Sequence, residues 1–374
     1  MINSGHALRP LKELAVFLDS RRVPIKTSER VSGPYPYYGA SGVVDHVESF
    51  IYEGLHLLIS EDGDNLRSRT TPVAFLADGR FWVNNHAHVL VGNDQADTRF
   101  LSYAVEMSDL SGYLTGTAQP KLSQAALASL PIVAPPLGEQ RAIAEVLGAL
   151  DDAISANGRL IGQAEDLSVA LAAQGSVTVP LADVAQHIRA TTNTQAMGGT
   201  IVDHYSLPAY DAAKMPEKVR SSDILSGKFC VERPSVLLSK LNPRFSRVWD
   251  VATVGEISVS STEFVVLEPR SVSTSVLWAL LCQPHVSEYL RERVSGTSGS
   301  HQRVRPQDVM RTPVWDPSSI ETAVQERITG VCAAACAKRR ENQALAALRD
   351  ALLPGLMSGR MRVKDAQQRV EEAI

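Results

Sequence analysis

The feature that most constrains this sequence is an internal repeat. Three motifs occur in the same order in each half of the 374-residue chain: PLKELAVFLDSRR at 10–22 and PLADVAQHIRATT at 180–192, HLLIS at 56–60 and VLLSK at 236–240, VNNHAHVLVG at 83–92 and VSSTEFVVLE at 259–268. The offset between matching positions grows from 170 at Pro10 and Pro180 to 185 at Gln140 and Gln325, so the second copy holds extra loop residues. An ordered repeat of this kind predicts two similar modules built from one duplicated unit.

The sequence of each copy predicts a mostly β-strand structure. From Pro10 to Pro131, short apolar or alternating runs are separated by Gly, Asp and Asn, which predicts short strands joined by turns. An amphipathic helix is expected from Arg99 to Met107, and the second copy repeats the pattern with a helix near Ser275 to Arg293. The predicted fold class of each module is therefore α+β.

A long helical segment follows the first copy. After Pro135 and Pro136, the seam positions recur at alternating steps of four and three: Ile143, Leu147, Leu150, Ile154, Asn157, Ile161 and Ala164. This spacing is typical of a coiled coil, and an Asn inside the seam is expected to fix its register. Asn342, which matches Asn157 by position, is either its partner across the seam or faces solvent. Residues 139–173 would form a rod about 50 Å long.

A second rod is expected from about Glu321 to Leu353, although it contains fewer large apolar residues. A single rod of this kind is not stable alone in water, whereas two packed rods are. We therefore expect the two helices to pair antiparallel.

The net charge of −4 is distributed unevenly. Residues 139–176 contain two basic and six acidic residues, which equals the whole net deficit, whereas residues 177–317 carry +1, 318–374 carry +2 and 1–138 carry −3. Phosphates respond to charges within a Debye length of about 8–10 Å. An acidic total therefore does not exclude a DNA-binding surface.

The composition argues against several other classes of protein. No stretch approaches the length of a membrane span, and the N-terminus lacks a charged start followed by an apolar core, so a cytoplasmic location is expected. The four cysteines are too scattered for a disulfide framework. Cys332 and Cys336 lie four residues apart but have no second pair nearby, and EDGDN at 61–65 lacks the distal Glu of a calcium loop, so no metal site is expected.

Three further segments are distinctive: YPYYGASGVVDHVESFIYEGLHLLISEDGDNL at 35–66, GTAQPKLSQAALASLPIVAPPLGEQRAIAEVLGALDDAI at 116–154 and LRDALLPGLMSGRMRV at 348–363. Together they resemble the specificity (S) subunit of type I restriction-modification enzymes. The proline-rich loop followed by Glu-Gln-Arg-x-Ile-Ala and Leu-x-x-Leu-Asp is specific in combination. The second copy departs from that pattern with SIETAVQERITGV at 319–331.

The resemblance implies an α+β fold of two similar target recognition domains in pseudo-twofold repeat, separated by two long helices paired as an antiparallel coiled coil. The expected boundaries are 1–138 and 177–317 for the recognition domains, 139–176 and 318–358 for the helices, and 359–374 for a C-terminal tail. Each half would read one part of a bipartite double-stranded DNA target, and the chain would have no catalytic residues. Two methyltransferase subunits and motor-nuclease subunits are the implied partners, and S-adenosylmethionine and ATP are expected on them only.

Reading bases requires Arg or Lys for guanine and Asn or Gln for adenine, on exposed loops. The candidate DNA-binding residues of the first module are Asn65, Arg67, Arg69, Asn84, Asn85, Gln119 and Lys121. Those of the second module are Lys240, Asn242, Arg244, Arg247, His301, Gln302, Arg303 and Arg305. At the start of the first rod, the candidates to bind a methyltransferase subunit are Glu139, Gln140 and Arg141; Glu139 alternatively only favours the helix dipole.

Two other functions stay open. An autonomous DNA methyltransferase or nuclease would need motifs of its own, and the nearest is NPRF at 242–245, where Arg244 replaces the second proline of an Asn-Pro-Pro-aromatic tetrad. No Gly-x-Gly loop precedes that motif, and no catalytic set of Ser, His and Asp stands out. The third possibility is a coiled-coil assembly protein without DNA contact.

Overall fold

The computed structural model describes residues 7–295 and 302–372. The chain divides into two compact units, and each contains one copy of the repeat with half of each long helix. Unit 1 comprises Met1–Ile154 and Ala344–Ile374, and unit 2 comprises Ser155–Gln343.

Unit 1 contains two four-stranded sheets. Its strands are β1 Ala7–Pro10, β2 Ala15–Phe17, β3 Tyr35–Gly39, β4 Gly42–Val47, β5 Tyr52–Glu53, β6 His56–Ser60, β7 Ala74–Ala77, β8 Arg80–Val83, β9 Ala87–Gly92, β10 Leu114–Thr115, β11 Lys121–Leu122 and β12 Pro131–Ala134. One sheet has the antiparallel order β2, β9, β6, β7, and the other has the order β4, β3, β8, β5, with β3 and β8 parallel. The pairs β1 with β12 and β10 with β11 complete the module.

Unit 2 repeats this arrangement. Its strands are β13 Thr178–Pro180, β14 Ala185–Ile188, β15 Thr191–Thr192, β16 Ile201–Tyr205, β17 Glu217–Arg220, β18 Lys228–Cys230, β19 Ser235–Ser239, β20 Val248–Val251, β21 Ser258–Ser260, β22 Phe264–Pro269, β23 Val294–Ser295, β24 Arg303–Val304 and β25 Pro313–Trp315. The order β14, β22, β19, β20 matches β2, β9, β6, β7, and β13 with β25 matches β1 with β12. The mixed sheet here has the order β15, β18, β21, β16, β17, and β23 pairs with β24. The predicted α+β duplication is therefore confirmed.

Helices connect and cover these sheets. They are α1 Asn65–Ser68, α2 Thr98–Glu106, α3 Gln124–Ala128, α4 Leu137–Ala172, α5 Leu181–Val184, α6 Leu207–Ala213, α7 Thr274–Leu281, α8 Pro284–Glu292, α9 Pro306–Met310, α10 Thr322–Met357 and α11 Val363–Glu371. Short 3-10 turns occur at Leu11–Glu13, Asp19–Arg21, Thr27–Glu29, Ser111–Tyr113, Thr194–Met197, Ser221–Asp223 and Pro317–Ser319. Within the described ranges, no helix has the length and apolarity needed to cross a lipid bilayer.

Equivalent helices start with equivalent caps. Asp97 accepts a hydrogen bond from the Phe100 N–H at 3.0 Å at the start of α2, and Ser273 accepts one from the Val276 N–H at 3.2 Å at the start of α7. The single helix expected near Ser275 to Arg293 is instead two helices, α7 and α8. Pro284 lacks an N–H and is suited to a first helical position, so it begins the second of them.

The two long helices pack against each other antiparallel in each unit. In unit 1, Leu147 and Leu150 of α4 and Leu345 and Leu352 of α10 belong to one buried core. In unit 2, the Cys332 thiol of α10 donates to Ser168 Oγ of α4 at 3.4 Å. Residue numbers thus rise along one helix as they fall along the other, and the predicted antiparallel pairing is confirmed.

Asn157 lies in the seam of that pair. It is 5% exposed, and its Nδ2 donates to Asn342 Oδ1 and to Glu341 Oε1, each at 2.9 Å. Of the two alternatives for Asn342, the structure has the contact with Asn157. A buried amide pair of this kind favours one alignment of two helices over alignments shifted by a turn.

Residues 359–374, expected as a tail, include the helix α11. Ala366 of this helix is fully buried in the unit 1 core, and Val363 and Val370 pack against that core. The C-terminal segment therefore contributes to the stability of unit 1.

Candidate nucleic-acid interface

Three loops of unit 1 meet next to the ends of β6 and β11 and form cluster 1: residues 61–69, 84–86 and 116–122. Backbone hydrogen bonds join them: Glu61 N–H to His86 O at 2.9 Å, Gly63 N–H to Pro120 O at 3.1 Å, and Leu122 N–H to Glu61 O at 2.8 Å. Segments far apart in the sequence therefore present one continuous surface. All seven DNA-binding candidates of the first module lie in these loops.

Unit 2 contains the equivalent surface, cluster 2: residues 240–247, 261–263 and 302–305. Its backbone bonds correspond one by one to those of cluster 1: Lys240 N–H to Glu263 O at 3.0 Å, Asn242 N–H to Gln302 O at 2.8 Å, and Val304 N–H to Lys240 O at 2.9 Å. The repeat thus extends from the sheets to the individual hydrogen bonds of these loops.

Gly63 and Asn242 occupy the same position in the two clusters, and both have a positive φ, of 108° and 48°. Only Gly adopts this conformation without strain, and Asn is one of the few other residues that adopt it readily. The next turn is also shared, since the Leu66 N–H donates to Gly63 O at 3.2 Å and the Phe245 N–H donates to Asn242 O at 2.9 Å. Different sequences therefore produce the same backbone path.

Two candidates in cluster 1 stabilise the loops themselves. Asn65 donates from Nδ2 to Thr71 O and accepts from the Thr71 N–H, each at 2.9 Å. Arg67 is exposed, but its guanidinium donates to Gly116 O at 2.6 Å and Thr117 O at 3.0 Å. Arg67 thus links two loops of the cluster.

Arg69 and Asn84 also make internal contacts. Arg69 donates to Glu106 O at 3.0 Å and Ser108 O at 2.5 Å, at the end of α2. Asn84 is buried, and its Oδ1 accepts from the His86 N–H at 2.7 Å. Both side chains shape the cluster and present little surface to a ligand.

Asn85, Gln119 and Lys121 are the exposed candidates of cluster 1. Lys121 forms an ion pair with Glu61 at 3.3 Å while more than half of its side chain stays exposed. These three residues combine two amides and one cation, the groups that recognise adenine edges and phosphates.

A buried network of charged groups lies behind cluster 1. His88 is 1% exposed, with Nδ1 at 2.6 Å from Asp19 Oδ2 and Nε2 at 2.8 Å from Leu122 O. Arg22 Nη1 donates to Glu61 Oε2 at 2.7 Å. Both partners of His88 are acceptors, so the arrangement is fully satisfied when both ring nitrogens carry a hydrogen.

Burial favours the protonated forms of Asp19 and Glu61, but their partners outweigh it. Hydrogen bonds and charge from His88, Val89 and Arg22 hold the pKa of Asp19 below its usual value. Arg22 and His88 likewise lower the pKa of Glu61. Both groups are therefore carboxylates at neutral pH.

Asp19, Glu61 and His88 place one ligand atom each within 4.8 Å of one another, the spacing of a metal site. Arg22 and Lys121 already bring cationic groups to Glu61 at 2.7 and 3.3 Å. A metal ion would have to displace these contacts, so the geometry fits an internal network of ion pairs that holds cluster 1 in place.

Cluster 2 presents a more basic surface. Arg244 is exposed and Lys240 is half-buried. Arg247 forms a bidentate pair with Asp211, at 2.6 and 2.8 Å, and this hydrogen bonding raises the pKa of Arg247. Arg247 is therefore fixed in orientation.

The third loop of cluster 2 adds Arg303 and Arg305, both exposed. Arg303 donates to both carboxylate oxygens of Glu263 at 3.0 Å, at the position equivalent to Lys121 in cluster 1. Gln302 is half-buried, and its carbonyl accepts the bond from Asn242. His301 lies outside the described residues.

Phe245 also lies on the surface of cluster 2, although it is not among the candidates predicted from the sequence. Its side chain is 55% exposed, and the guanidinium carbons of Arg244 and Arg247 lie 4.9 and 5.9 Å from its ring centre. The equivalent residue of unit 1, Leu66, is only 2% exposed. An aromatic residue between arginines in a polar loop is the signal that would have indicated it.

The partner-binding candidates divide into two groups. Gln140 is 1% exposed, and its amide makes three internal contacts: with the Asp97 N–H at 3.1 Å, Gln95 O at 3.0 Å and Pro135 O at 2.8 Å. The structure thus places the Gln140 amide in contacts that anchor the start of α4, and its predicted binding to a partner stays a prediction. Glu139 is half-buried and Arg141 is exposed.

Comparison with known proteins finds a family match in the first repeat. Residues 3–165 match the type I restriction modification DNA specificity domain family, a range that includes cluster 1 and most of α4. A curated relative from Haemophilus influenzae, named as a type I restriction enzyme specificity subunit, is 40% identical over 143 residues. Those residues are 38% of this chain and 36% of the relative, so the match spans about a third of the relative's length.

Solved structures match along nearly the whole chain. The S subunit of a type I restriction-modification system from M. genitalium has a TM-score of 0.57 at 15% identity, covering 95% of this chain and 96% of that chain. The HsdS subunit from Thermoanaerobacter tengcongensis is 16% identical, with a TM-score of 0.33 and coverage of 96% and 98%. The first match shows that the chain has the fold of an S subunit.

The family match lies within residues 3–165, which is less than half of the chain and contains the first repeat. It agrees with the resemblance inferred from the sequence.

Proposed function

We propose that this chain is the DNA-reading specificity subunit of a type I restriction-modification complex, in which each repeat reads one half of a bipartite target. The observation that carries the proposal is the pair of loop clusters. Each is held by the same backbone hydrogen bonds, at Glu61 and Gly63 in one and at Lys240 and Asn242 in the other.

The side chains on this common scaffold differ between the clusters. Cluster 1 exposes Asn85, Gln119 and Lys121, whereas cluster 2 exposes Arg244 and Arg303. Amides suit adenine edges, and arginines suit guanine edges or phosphates. Two clusters with one backbone and different side chains would read two different short sequences.

Partner subunits would supply the chemistry. We expect two methyltransferase subunits to bind along the long helices, with the exposed Arg141 and the half-buried Glu139 among the contacts, and motor-nuclease subunits to join them. S-adenosylmethionine and ATP would be held by those partners. A target adenine would be extruded into a methyltransferase while this chain holds the flanking sequence.

The test begins with reconstitution of this chain with its methyltransferase partner and mapping of methylated adenines genome-wide, with and without the gene. A duplex carrying the mapped target is then used in binding measurements over a range of salt concentrations. We expect specific binding to require both half-sites at a fixed spacing, so that base pairs inserted between them weaken it.

Two outcomes would contradict the proposal. One is the absence of any sequence preference at every salt concentration, which would favour an assembly protein. The other is S-adenosylmethionine binding by the isolated chain together with methylation in the absence of a partner, which would favour an autonomous enzyme.

A further inference from the structure

The buried charge network of unit 1 has a counterpart of opposite sign in unit 2. The first repeated motif aligns Asp19 with Arg189. The shared backbone hydrogen bonds of the two clusters align Glu61 with Lys240. Two carboxylates of the first repeat are therefore replaced by two cations at the same places on the same scaffold.

The charges balance in unit 1 but not at the equivalent place in unit 2. Both carboxylates of unit 1 have partners that donate to them at 2.6 and 2.7 Å. Within the described ranges, Lys240 forms no ion pair and no side-chain hydrogen bond, and Arg189 forms no ion pair. The acid of cluster 2, Glu263, is already bound by both donors of Arg303. Two cations of unit 2 thus lack an anion.

His187 lies between these cations and holds one of them. It is at the position of Phe17 in unit 1. The Arg189 Nε donates to His187 Nδ1 at 3.3 Å, and the two terminal nitrogens of this guanidinium make no hydrogen bond with the part of the chain that the structure describes. Burial, Arg189 and Lys240 lower the pKa of His187. The ring is therefore neutral at pH 7, and its Nδ1 can accept this bond.

The arrangement suits an anion from outside the chain. Arg189 is exposed and Lys240 is half-buried. A partly buried cation without an anion is destabilising, and a bound anion would remove that cost. Guanidinium and ammonium groups both bind phosphate oxygens, the first through two parallel hydrogen bonds and the second as a point charge. Because Lys240 belongs to cluster 2, such an anion would lie at the edge of the surface that reads DNA.

We propose that Arg189 and Lys240 bind one phosphate of the DNA backbone beside the half-site read by cluster 2, and that His187 positions the Arg189 guanidinium. This inference rests on the proposed function and adds His187 and Arg189 to the residues that serve it. The equivalent place in unit 1 holds two carboxylates, which repel phosphate. The two repeats would therefore hold the DNA backbone in different ways.

The test replaces one phosphate of the mapped target duplex at a time with an uncharged methylphosphonate, across both half-sites. Binding is measured for the full-length chain together with its methyltransferase partner. At one phosphate, the replacement should weaken binding by the unmodified chain about tenfold, the effect of a charged hydrogen bond. The same replacement should have almost no effect on the double variant Arg189→Gln, Lys240→Gln.

The double variant should also bind the unsubstituted duplex about tenfold more weakly. Its slope of log affinity against log salt should be smaller by about 1, which corresponds to one phosphate. Arg270→Gln is the matched control. Arg270 is exposed and follows β22 at the end away from cluster 2, where its Nε donates to Ala182 O at 3.3 Å. This variant should bind both kinds of duplex like the unmodified chain.

His187→Phe, which introduces the residue of the first repeat, tests the positioning role. It keeps a bulky ring but removes the acceptor of the Arg189 Nε. It should weaken binding to the unsubstituted duplex and leave binding to the sensitive methylphosphonate duplex unchanged. A loss that is the same for both duplexes would show that His187 acts only on the fold.

Three results would overturn the phosphate site. They are the absence of any phosphate to which the unmodified chain is sensitive and the double variant is not, an equal loss of binding in Arg270→Gln, and a site for free anions only. In the last case, inorganic phosphate would raise the unfolding temperature of the unmodified chain above its value in chloride of equal ionic strength, and not that of the double variant, while no methylphosphonate had an effect.

Failure of the phosphate site is distinguishable from failure of the proposed function. If the unmodified chain shows no sequence preference, both are refuted. If it binds its target specifically and the double variant binds equally well, only the phosphate site is refuted. Cooperative thermal unfolding checks the folded state of each variant, and Arg189→Gln alone is used in the scan if the double variant does not fold.

Discussion

The two repeats share a backbone and differ in what their interiors hold. Unit 1 places His88 and a buried charge network behind cluster 1, where the equivalent position of unit 2 is Val265. Unit 2 places Asp250 and a cavity where unit 1 has Leu76 and a filled core. The duplicated hydrogen bonds therefore specify the scaffold, while polar substitutions inside it give each copy separate properties.

The largest expected effect concerns the network of unit 1. Asp19→Ala leaves His88 without its carboxylate, and the free energy of unfolding of unit 1 should fall by about 3–5 kcal/mol. Hydrogen exchange of the intact chain, followed in the peptides that belong to each unit, would show the loss in unit 1. Asp62→Ala is the control, because Asp62 pairs with the half-exposed His86 at 2.7 Å and should cost at most about 1 kcal/mol. Equal losses would mean that the buried network is no more important than the surface pair.

Alanine substitution of the equivalent residues Leu66 and Phe245 should affect different properties: stability at Leu66 and DNA binding at Phe245. Leu66→Ala removes a buried side chain and should cost about 2–5 kcal/mol of stability. Phe245→Ala should change stability by about 0.5 kcal/mol or less, but should weaken duplex binding by about 1–3 kcal/mol through lost contact with bases. Urea unfolding and target affinity are measured for both variants. Unchanged affinity of Phe245→Ala would remove this side chain from the interface.

A smaller effect is expected at the equivalent cations Lys121 and Arg303. If each contacts a phosphate, Lys121→Ala and Arg303→Ala should each reduce the slope of log affinity against log salt by about 1. Glu263→Gln is the matched variant, because it removes the acid that holds Arg303 and should strengthen binding. Slopes that stay the same in both alanine variants would refute phosphate contact at these positions.

The smallest expected effect is the change in stability with pH, to which Asp19 and Asp250 contribute with opposite signs. The pKa of Asp19 is below its ordinary 3.8 in the folded chain, so its stabilisation is complete above about pH 4 and is lost as the pH falls through the folded pKa. The pKa of Asp250 is raised, so its carboxylate destabilises unit 2 at neutral pH, and that penalty declines as the pH falls towards 3.8. Burial lowers the pKa of His187 and of His204, so their protonation destabilises unit 2 over the same range. Hydrogen exchange between pH 7 and pH 4 is therefore compared in the unmodified chain and in Asp250→Leu, and unit 2 should lose less protection in the unmodified chain. An equal change in both chains would rule out a contribution from Asp250.

Loop composition was enough to predict most residues of the candidate interface. It did not predict which of their side chains are exposed and which make internal contacts. Arg67 and Arg69 are predicted from the sequence to bind DNA as basic loop residues, yet both guanidiniums donate to backbone carbonyls between 37 and 50 residues away in the sequence. Gln140 was selected for its position at a helix start and is buried there. An exposed ligand-binding side chain and one that ties two loops together have the same local sequence, so only their distant neighbours distinguish them.

The sequence by itself determined the duplication, the α+β class and the antiparallel helix pair with Asn157 in its seam. These features follow from motif order and from the periodicity of apolar residues, which report which face of an element is buried. The tertiary structure alone decided which loops form each cluster, that Leu66 is buried while Phe245 is exposed, and that Cys332 and Asp250 face one cavity. The physical reason is that such contacts join residues far apart in the chain, and the packing of sheets and helices brings them together without any local pattern in the sequence.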